Sequence, residues 1–543
     1  MDGHRAFVLA PKSVSETWGN DEYNVYWEGL AFVEGTLSGT ESIRLFTEKL
    51  GKIRIEDACR LLKGTYFIIV ESRLSGEIYA FVDNSGLYQA FHTNTSVSNS
   101  FLELAEKERC TVEDLDPEAV AEFLCFGSLF FGKTYFKTIK KMSHDDILRI
   151  SCSDGNISFL KKNSLDLDAV PDAASKTFEE YFEKLALSLG NCNVSVDLTG
   201  GVDTRLVAVM LDHYGLRFET ASSGGTADYE DISFSVEVAQ ALRHTWFGTV
   251  HSVDSLEKDM YDVFLATEGL YDVLYYHRLY QLQNARRMRG VNAIISGVGG
   301  ELFKDYWWLH EFPFYSRKKS DIRRLVDLRI MSSEFTPGLL TERFDEAGAM
   351  IRGNLIKELS RYTLDTNTKT YDNIFFNVMM RDIAGRVLTS HGNYVRCYAP
   401  FLDLDLARLG YRLPRKERLF NLFHRKKLTC INPSIARLKT TECGISASYS
   451  LMDMARDLPR YGSEKIGRLL IKLGFLDRKK FAHRNHPDFY GHVRTMDVME
   501  DSLSVLKDIG IIRRDVETGQ LEDGYLGNVL SIGMLVRHIQ KHN

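Results

Sequence analysis

Residues 193–213 constrain the fold of this 543-residue chain more than any other stretch. A continuous apolar strand runs to Leu198, a Gly200-Gly201 pair follows, and a helical pattern begins near Arg205. A strand, a glycine-rich loop and a helix in immediate succession build one unit of a parallel sheet wound with helices. We therefore expect an α/β fold for this part of the chain.

The loop of this unit has the composition of an anion site. Its glycines let backbone N–H groups turn inward, the helix N-terminus adds partial positive charge, and the hydroxyls of Thr199 and Thr204 can donate to phosphate oxygens. Asp203 would repel a phosphate unless Mg²⁺ lies between the two anions, so metal-bound ATP is the expected ligand. The expected nucleotide-binding residues of this loop are Leu198, Thr199, Gly200, Gly201, Val202, Asp203 and Thr204.

The rest of the chain divides into regions of different character. Short strand patterns separated by Gly, Asn and Ser fill residues 23–91, which predicts a β-rich opening domain. Further buried strands are predicted at 218–222 and 292–296, and from about Phe312 the pattern is mainly helical. Periodicity is lost between Asn163 and Thr177, so we predict two domains, residues 1–163 and 174–543.

The hexapeptide Thr199–Thr204 resembles the Ser-Gly-Gly-X-Asp-Ser signature of the PP-loop ATP pyrophosphatases, with threonine in place of both serines. It lacks the Gly-Lys-Ser/Thr ending of a Walker loop and the three spaced glycines of a dinucleotide loop. Alone, the hexapeptide fits a plain turn with an exposed Asp equally well. Two further motifs, in the order that they have in asparagine synthetases, favour the nucleotide site.

The second motif, Ser296-Gly-Val-Gly-Gly-Glu-Leu-Phe-Lys-Asp-Tyr306, resembles the second glycine loop of asparagine synthetases. It is one residue shorter and lacks the Asp that, by the resemblance, shares Mg²⁺ with the Asp of the first loop. Glu301 is the nearest replacement, with the alternative that it only favours a helix N-terminus. The resemblance makes Asp203 and Glu301 the expected metal ligands, Glu301 also a catalytic residue, and adds Ser296, Gly297, Val298 and Gly299 to the nucleotide site.

The third motif, Pro400-Phe-Leu-Asp403, resembles the Pro-Phe-Leu-Asp segment of the same family. The family supplies a catalytic lysine shortly after this segment, where it stabilises the departing pyrophosphate. Lys439 lies in that stretch and is the expected counterpart, with Arg437, Lys426 and Lys427 as competitors. Ser222, after the second strand, is expected to face the nucleotide.

The opening domain resembles the glutaminase domain of asparagine synthetases, a β sandwich of the N-terminal-nucleophile type. That glutaminase requires a cysteine exposed as first residue after removal of Met1, and Asp2 occupies the position here, with Cys59 the first cysteine. Without that thiolate no glutamine hydrolysis of the family's kind is expected. The chain is therefore more similar to the glutamine-independent members, such as β-lactam synthetases and lasso-peptide cyclases.

Composition limits the partners. The formal net charge of -6 argues against a nucleic-acid partner, and no stretch reaches the roughly 20 apolar residues that cross a membrane. The eight cysteines form no CxxC pair, which favours reduced thiols. We expect a cytoplasmic protein that binds a small molecule or peptide carrying a carboxylate and an amine acceptor, and a homodimer is one open alternative for its assembly.

These features predict an ATP-dependent ligase that adenylates a carboxylate and passes it to an amine, releasing AMP and pyrophosphate. Formation of an internal amide, as in a lactam or macrolactam, and amidation by ammonia both remain open. Two rival hypotheses are an asparagine synthetase that uses ammonia and a non-catalytic nucleotide-binding scaffold. Val298, where asparagine synthetases have Glu and β-lactam synthetases have Tyr, cannot transfer a proton.

Overall fold

The computed structural model describes residues 7–9, 15–151, 156–163, 165–168, 177–224, 230–331, 338–476 and 487–542. Asp2, Cys152 and, within the predicted domain boundary, residues 164 and 169–176 lie outside this part. The described strands are β1 Phe7–Val8, β2 Glu16–Gly19, β3 Tyr23–Val33, β4 Leu62–Ser72, β5 Ile78–Val82, β6 Phe91–His92, β7 Val97–Ser98, β8 Lys140–Lys141, β9 Asp146–Ile150, β10 Ile157–Lys161, β11 Val194–Asp197, β12 Phe218–Gly224, β13 Trp246–Val250, β14 Ala293–Ile295 and β15 Arg396–Tyr398.

Helices are few before residue 177 and dominate after residue 300. The described α-helices are α1 Thr40–Leu50, α2 Ile55–Ala58, α3 Phe101–Lys107, α4 Pro117–Phe126, α5 Phe178–Ser188, α6 Val202–His213, α7 Glu230–Leu242, α8 Leu256–Thr267, α9 Val273–Met288, α10 Ile322–Leu325, α11 Glu342–Ser360, α12 Asn367–Ile374, α13 Gly385–His391, α14 Leu404–Arg412, α15 Arg415–Arg418, α16 Leu422–Ile431, α17 Pro433–Ala436, α18 Leu451–Lys472, α19 Pro487–Arg494, α20 Asp497–Asp508 and α21 Asp523–His542.

The N-terminal region contains two sheets. The larger is antiparallel, in the order β10-β9-β5-β4-β3-β2, and its centre is the long β3–β4 pair. Phe67 and Ile69 of β4 pack with Val97 of β7 in one apolar core, so the smaller sheet, β1-β7-β6-β8, covers one face of the larger. Phe46 of α1 packs on the opposite face. The predicted β-rich opening domain is confirmed.

The synthetase-like region is built on a five-stranded parallel sheet in the order β13-β12-β11-β14-β15. Val194 and Val196 of β11 are buried, as are Ile294 and Ile295 of β14, because helices cover both faces of such a sheet. The α/β fold and the mainly helical C-terminal part are both as predicted.

One helix boundary differs from the prediction. Helix α6 begins at Val202 and not near Arg205, because Gly201 is extended, with φ -73° and ψ 168°, and serves as the N-cap. Asp203 and Thr204 therefore lie in the first helical turn and not in the loop before it. This position brings both side chains next to the helix N-terminus.

The two regions pack closely against each other. Gln89 N–H donates to the Thr389 hydroxyl at 2.9 Å, and Lys63 of β4 forms ion pairs with Asp403 at 3.3 Å and Asp405 at 2.7 Å. Leu30, Phe32 and Leu87 share an apolar core with the strands of the parallel sheet. Contacts of this kind hold the N-terminal sheet beside the third sequence motif.

Two smaller expectations can be compared with the structure. Every cysteine in the described part is a free thiol, and most are buried, as predicted. Within the same part of the chain, we find no helix that combines the length and the apolar character needed to cross a membrane.

Candidate functional site

The two glycine loops meet where the strand order of the parallel sheet reverses. From β11 the chain adds β12 and then β13 on one side, and it returns with β14 on the other side of β11. Loops at the carboxyl ends of β11 and β14 therefore diverge above a crevice, which is where open α/β sheets bind ligands. The first loop follows Asp197 and the second follows Ile295.

The first loop is held by its own hydroxyls and by a neighbouring carboxylate. The Thr204 hydroxyl accepts a hydrogen bond from Thr199 N–H at 3.1 Å and lies 3.1 Å from the Thr199 hydroxyl. Gly201 N–H donates to Thr199 Oγ1 at 3.2 Å, and Gly200 N–H donates to Asp231 Oδ1 at 2.9 Å. The loop is therefore preorganised, and neither glycine has room for a side chain.

The second loop packs directly on the start of α6. A Cβ on Gly297 would stand 2.7 Å from Thr204 N, so only glycine allows this approach. Gly299 has φ +96°, and a Cβ there would stand 2.4 Å from Leu402 of the third motif. The three motifs that are far apart in the sequence thus form one continuous site.

A buried ammonium lies at the centre of this site. Lys304 Nζ donates to Asp203 Oδ2 at 2.5 Å and to Glu442 Oε2 at 3.0 Å, and the Lys304 side chain is only 7% exposed. Although burial opposes the charged form, these carboxylates hold the pKa of Lys304 well above its usual range. Burial likewise opposes ionisation of Asp203, but Lys304 and His424 lower the Asp203 pKa to about 2. Both partners are therefore charged at neutral pH.

His424 approaches the same carboxylate from the other side. Its Nε2 lies 2.8 Å from Asp203 Oδ1, and the imidazole is fully buried against Phe303 and Phe401. One carboxylate oxygen of Asp203 thus faces the Lys304 ammonium, and the other faces the His424 imidazole. This arrangement fixes the carboxylate at the helix N-terminus.

Glu301 lies in the field of these charges. Burial raises the pKa of Glu301, and the nearby carboxylates of Asp203 and Glu442 add to the rise, whereas Lys304 opposes it. The carboxylates of Asp203, Glu301 and Glu442 thus surround the single ammonium of Lys304, which leaves an excess of negative charge. Mg²⁺ prefers negatively charged oxygen ligands of this kind. The chemistry of this donor set fits a magnesium ion at Asp203 and Glu301.

A carboxylate already occupies the anion position of the first loop. Glu442 Oε1 accepts the hydrogen bond of Val202 N–H at 3.2 Å and would lie 2.9 Å from a Cβ on Gly201. Its other oxygen accepts from Lys304. The helix N-terminus and the buried ammonium therefore hold an anion between them, in the manner predicted for phosphate.

Lys439 reaches the site through its backbone. Its carbonyl oxygen accepts a hydrogen bond from Arg205 Nη2 at 2.5 Å, and Arg205 also donates to Leu438 O at 3.0 Å. Arg205 itself is fully buried, which anchors this segment on α6. The Lys439 side chain is exposed, and two residues later Thr441 N–H donates to Gly200 O at 3.0 Å. The structure thus brings the segment of Lys439 over the first loop.

Two of the three competing cations of that stretch are engaged elsewhere. Lys426 pairs with Glu417 at 2.8 Å, and Lys427 pairs with Glu179. Neither pairing involves the glycine loops. Lys439 and its competitor Arg437, both exposed, remain the predicted candidates for a cation that meets the nucleotide.

The remaining predicted nucleotide residues differ in their surroundings. Leu198 and Ser296 are buried below the loops, whereas Val298 is 39% exposed at the crevice. The Ser222 hydroxyl lies 2.9 Å from the Ser235 hydroxyl and accepts from Trp246 Nε1 at 3.1 Å. Ser222 thus belongs to a hydrogen-bond network beside β13, and the residue before it, Ala221, accepts a hydrogen bond from Leu198 N–H at 2.9 Å.

Other charged and aromatic residues that could have faced a substrate have structural roles. Arg386 pairs with Glu268 at 3.1 Å in the core, and Arg396 pairs with Glu16. Trp307 and Trp308 are 8% and 4% exposed and pack in the core.

Sequence reasoning missed Lys304, His424 and Glu442. Lys304 carried a signal, because a lysine three residues after Glu301 in an otherwise apolar loop has few reasons to be there unless it is paired. His424 and Glu442 carried none, since their contacts depend on how the chain returns over α6. All three are polar groups that complete the site around Asp203.

The asparagine synthase family profile matches residues 188–429, a span that contains both glycine loops and the Pro-Phe-Leu-Asp segment. No curated protein matches the chain significantly. The parallel sheet, the two loops at its switch point and the matched span agree with one another. Residues 188–429 therefore form an asparagine synthase domain.

Proposed function

We propose that this protein is an ATP-dependent amide ligase that adenylates a carboxylate, releases pyrophosphate and transfers the acyl group to an amine. The observation that carries the proposal is the carboxylate of Glu442, bound by Val202 N–H and by Lys304. One oxygen of this carboxylate accepts from the first turn of α6 and the other accepts from the Lys304 ammonium. Pyrophosphate has the charge and the oxygen acceptors to take the same position.

The first step joins a substrate carboxylate oxygen to the α-phosphorus of ATP and breaks the bond to the bridging oxygen of pyrophosphate. Charge then develops on the leaving group, beside the Gly200–Val202 backbone and the Lys304 ammonium. Preorganised donors of this kind stabilise the transition state more than the ground state. We assign Lys304 to this role together with Lys439, whose exposed side chain extends from the segment that covers the loop.

We propose that Asp203 and Glu301 hold Mg²⁺, which would neutralise part of the phosphate charge when bound. Lys304 and His424 fix the position of the Asp203 carboxylate. Lys304 also offsets part of the charge of the carboxylates of Asp203 and Glu442. Removing that ammonium would leave buried charge without compensation.

In the second step the amine nitrogen attacks the activated carbonyl carbon, AMP leaves and one proton is released. Val298 stands at the crevice and has no group that could accept the proton. The amine must therefore enter neutral or lose its proton to another group. We propose that the acceptor is an amine of the substrate itself, as in lactam or macrolactam formation, and not ammonia released from glutamine.

Pyrophosphate release from ATP tests this proposal. The chain is incubated with panels of carboxylates, alone, with ammonia and with amines, and compared with Asp203→Ala. Glu48→Ala is the matched control, because Glu48 lies on α1 of the N-terminal region and forms only an exposed pair with Arg44. We expect release with at least one carboxylate, loss of release in Asp203→Ala and no change in the control. Release that is insensitive to the Asp203 substitution, or absent with every carboxylate, contradicts the proposal.

A further inference from the structure

Three side chains of types that can bind a metal ion lie together between the C-terminal end of helix α21 and helix α3. In the sequence these residues are far from both glycine loops. The group consists of Glu106 on α3 and His538 and His542 on α21. One ligand atom from each residue lies within 4.8 Å of the other two. Among the described residues this is the only such group of three or more His, Cys, Asp or Glu side chains.

The two histidines are one helical turn apart and face the same side of α21. Their ring centroids are 4.3 Å apart, and a His-X3-His pair on a helix presents two nitrogens to one ion. His538 Nε2 lies 2.8 Å from Glu106 Oε1, and the His538 side chain is only 9% exposed. Phe264 packs against the His538 ring, with centroids 5.8 Å apart, and limits its orientations.

His542 is held by a second contact. Its Nδ1 lies 2.8 Å from the carbonyl oxygen of His538, which orients the ring as backbone carbonyls orient metal-ligating imidazoles in many proteins. Nδ1 also lies 3.9 Å from Glu106 Oε1. Glu103, one turn before Glu106 on α3, places a second carboxylate on this face of the helix.

We propose that Glu106, His538 and His542 bind one divalent transition-metal ion that fastens α21 to α3. Two imidazoles and a carboxylate suit Zn²⁺ and its neighbours in the transition series, and they do not suit Mg²⁺ or Ca²⁺, which prefer oxygen ligands alone. The ion would connect α3 of the N-terminal region with α21, the last of the described helices. This site is separate from the proposed ligase site and does not depend on it.

Equilibrium dialysis of the metal-stripped, untagged chain against Zn²⁺ tests the proposal. We expect one bound equivalent that is lost in the His538→Ala/His542→Ala variant, with affinity about tenfold to 100-fold weaker in Glu106→Gln. The exposed histidines His213 and His492 give the control variant His213→Ala/His492→Ala, which should keep the ion. Thermal unfolding with and without Zn²⁺ should show a stabilising shift in the parent and control proteins only.

Substitution of Co²⁺ adds a readout that a merely structural role of these histidines would not give. Bound Co²⁺ should show visible absorption bands that disappear when His538 and His542 are replaced. Equal Zn²⁺ binding by the parent and the His538→Ala/His542→Ala variant overturns the proposal, as does Zn²⁺ binding that is lost equally in the control. If the double variant unfolds, His542→Ala alone, at the exposed end of α21, provides the same comparison.

Discussion

Gly300 and Asp203 lie in direct contact across the two glycine loops, where a Cβ on Gly300 would stand 2.3 Å from Cγ and from Oδ1 of Asp203. The conformation of the second loop thus sets the position of the carboxylate in the first. A methyl group at residue 300 has to displace Asp203, and with it the contacts to Lys304 and His424.

We therefore expect Gly300→Ala to lower ATP-dependent pyrophosphate release by about 100-fold, because displacements near 1 Å at a reacting centre have effects of that size. Gly353→Ala is the matched control, since a Cβ there meets nothing within 4 Å. Steady-state rates and far-UV circular dichroism of both variants are compared. Full activity in Gly300→Ala would show that the Asp203 position does not matter.

Replacing Lys304 by Met should destabilise the fold by about 3 to 5 kcal/mol, because the carboxylate of Asp203, whose side chain is only 14% exposed, loses its compensating charge. Glu442→Gln in the same chain removes the second, more exposed carboxylate that pairs with Lys304, so the double variant should recover part of the loss. Urea unfolding of the two single variants and the double variant measures this coupling. Strictly additive effects would mean that Lys304 and Glu442 do not interact as their 3.0 Å contact indicates.

Glu442→Gln should bind pyrophosphate more tightly, by about tenfold, which corresponds to about 1.4 kcal/mol. In the unsubstituted chain pyrophosphate has to displace a charged carboxylate from Val202 N–H and Lys304, whereas the amide of Gln competes without charge. Isothermal titration calorimetry gives the affinities. Glu48→Gln, which affects only an exposed pair with Arg44, should leave them unchanged. Weaker binding in Glu442→Gln would instead make Glu442 part of the binding machinery.

The sequence predicted the parts of this structure that depend on local pattern. The strand patterns predicted over residues 23–91 correspond to β3, β4 and β5, and the glycine pairs after apolar strands indicated both loops. The start of α6 was predicted three residues too late, because a strong apolar pattern begins at Arg205 while the helix is already capped at Gly201. Boundaries depend on capping geometry, which residue type alone does not fix.

The charged contacts around Asp203 could not be predicted from local sequence pattern. Val202 and Glu442 are 240 residues apart, and their contact exists because Arg205 anchors the segment before Glu442 on α6. The contacts of the Ser222 hydroxyl with Ser235 and Trp246 likewise join residues of different elements, and its predicted role at the nucleotide stays a prediction. Local pattern does not predict contacts of either kind.

His391 provides a pH-dependent test of the packing beneath the parallel sheet. Burial, with the charge of Arg286 adding to it and Asp197 opposing it, lowers the pKa of His391 from 6.5 to about 4. Its Nδ1 lies 3.1 Å from the Tyr276 hydroxyl, and Gln283 Nε2 lies 3.4 Å from its Nε2. The folded state therefore contains the neutral imidazole, held by neutral partners.

Between pH 6.5 and about 4 the unfolded chain binds a proton at His391 that the folded chain does not bind, so folding stability falls as the pH falls through this window. The two pKa values correspond to a contribution of about 3 kcal/mol, present in full above pH 6.5 and lost by about pH 4. We expect His391→Gln to show a smaller decrease in the urea midpoint over this range than the parent chain. The exposed His213→Gln variant should behave like the parent. The same decrease in His391→Gln would mean that other groups cause it, because the amide side chain cannot titrate there.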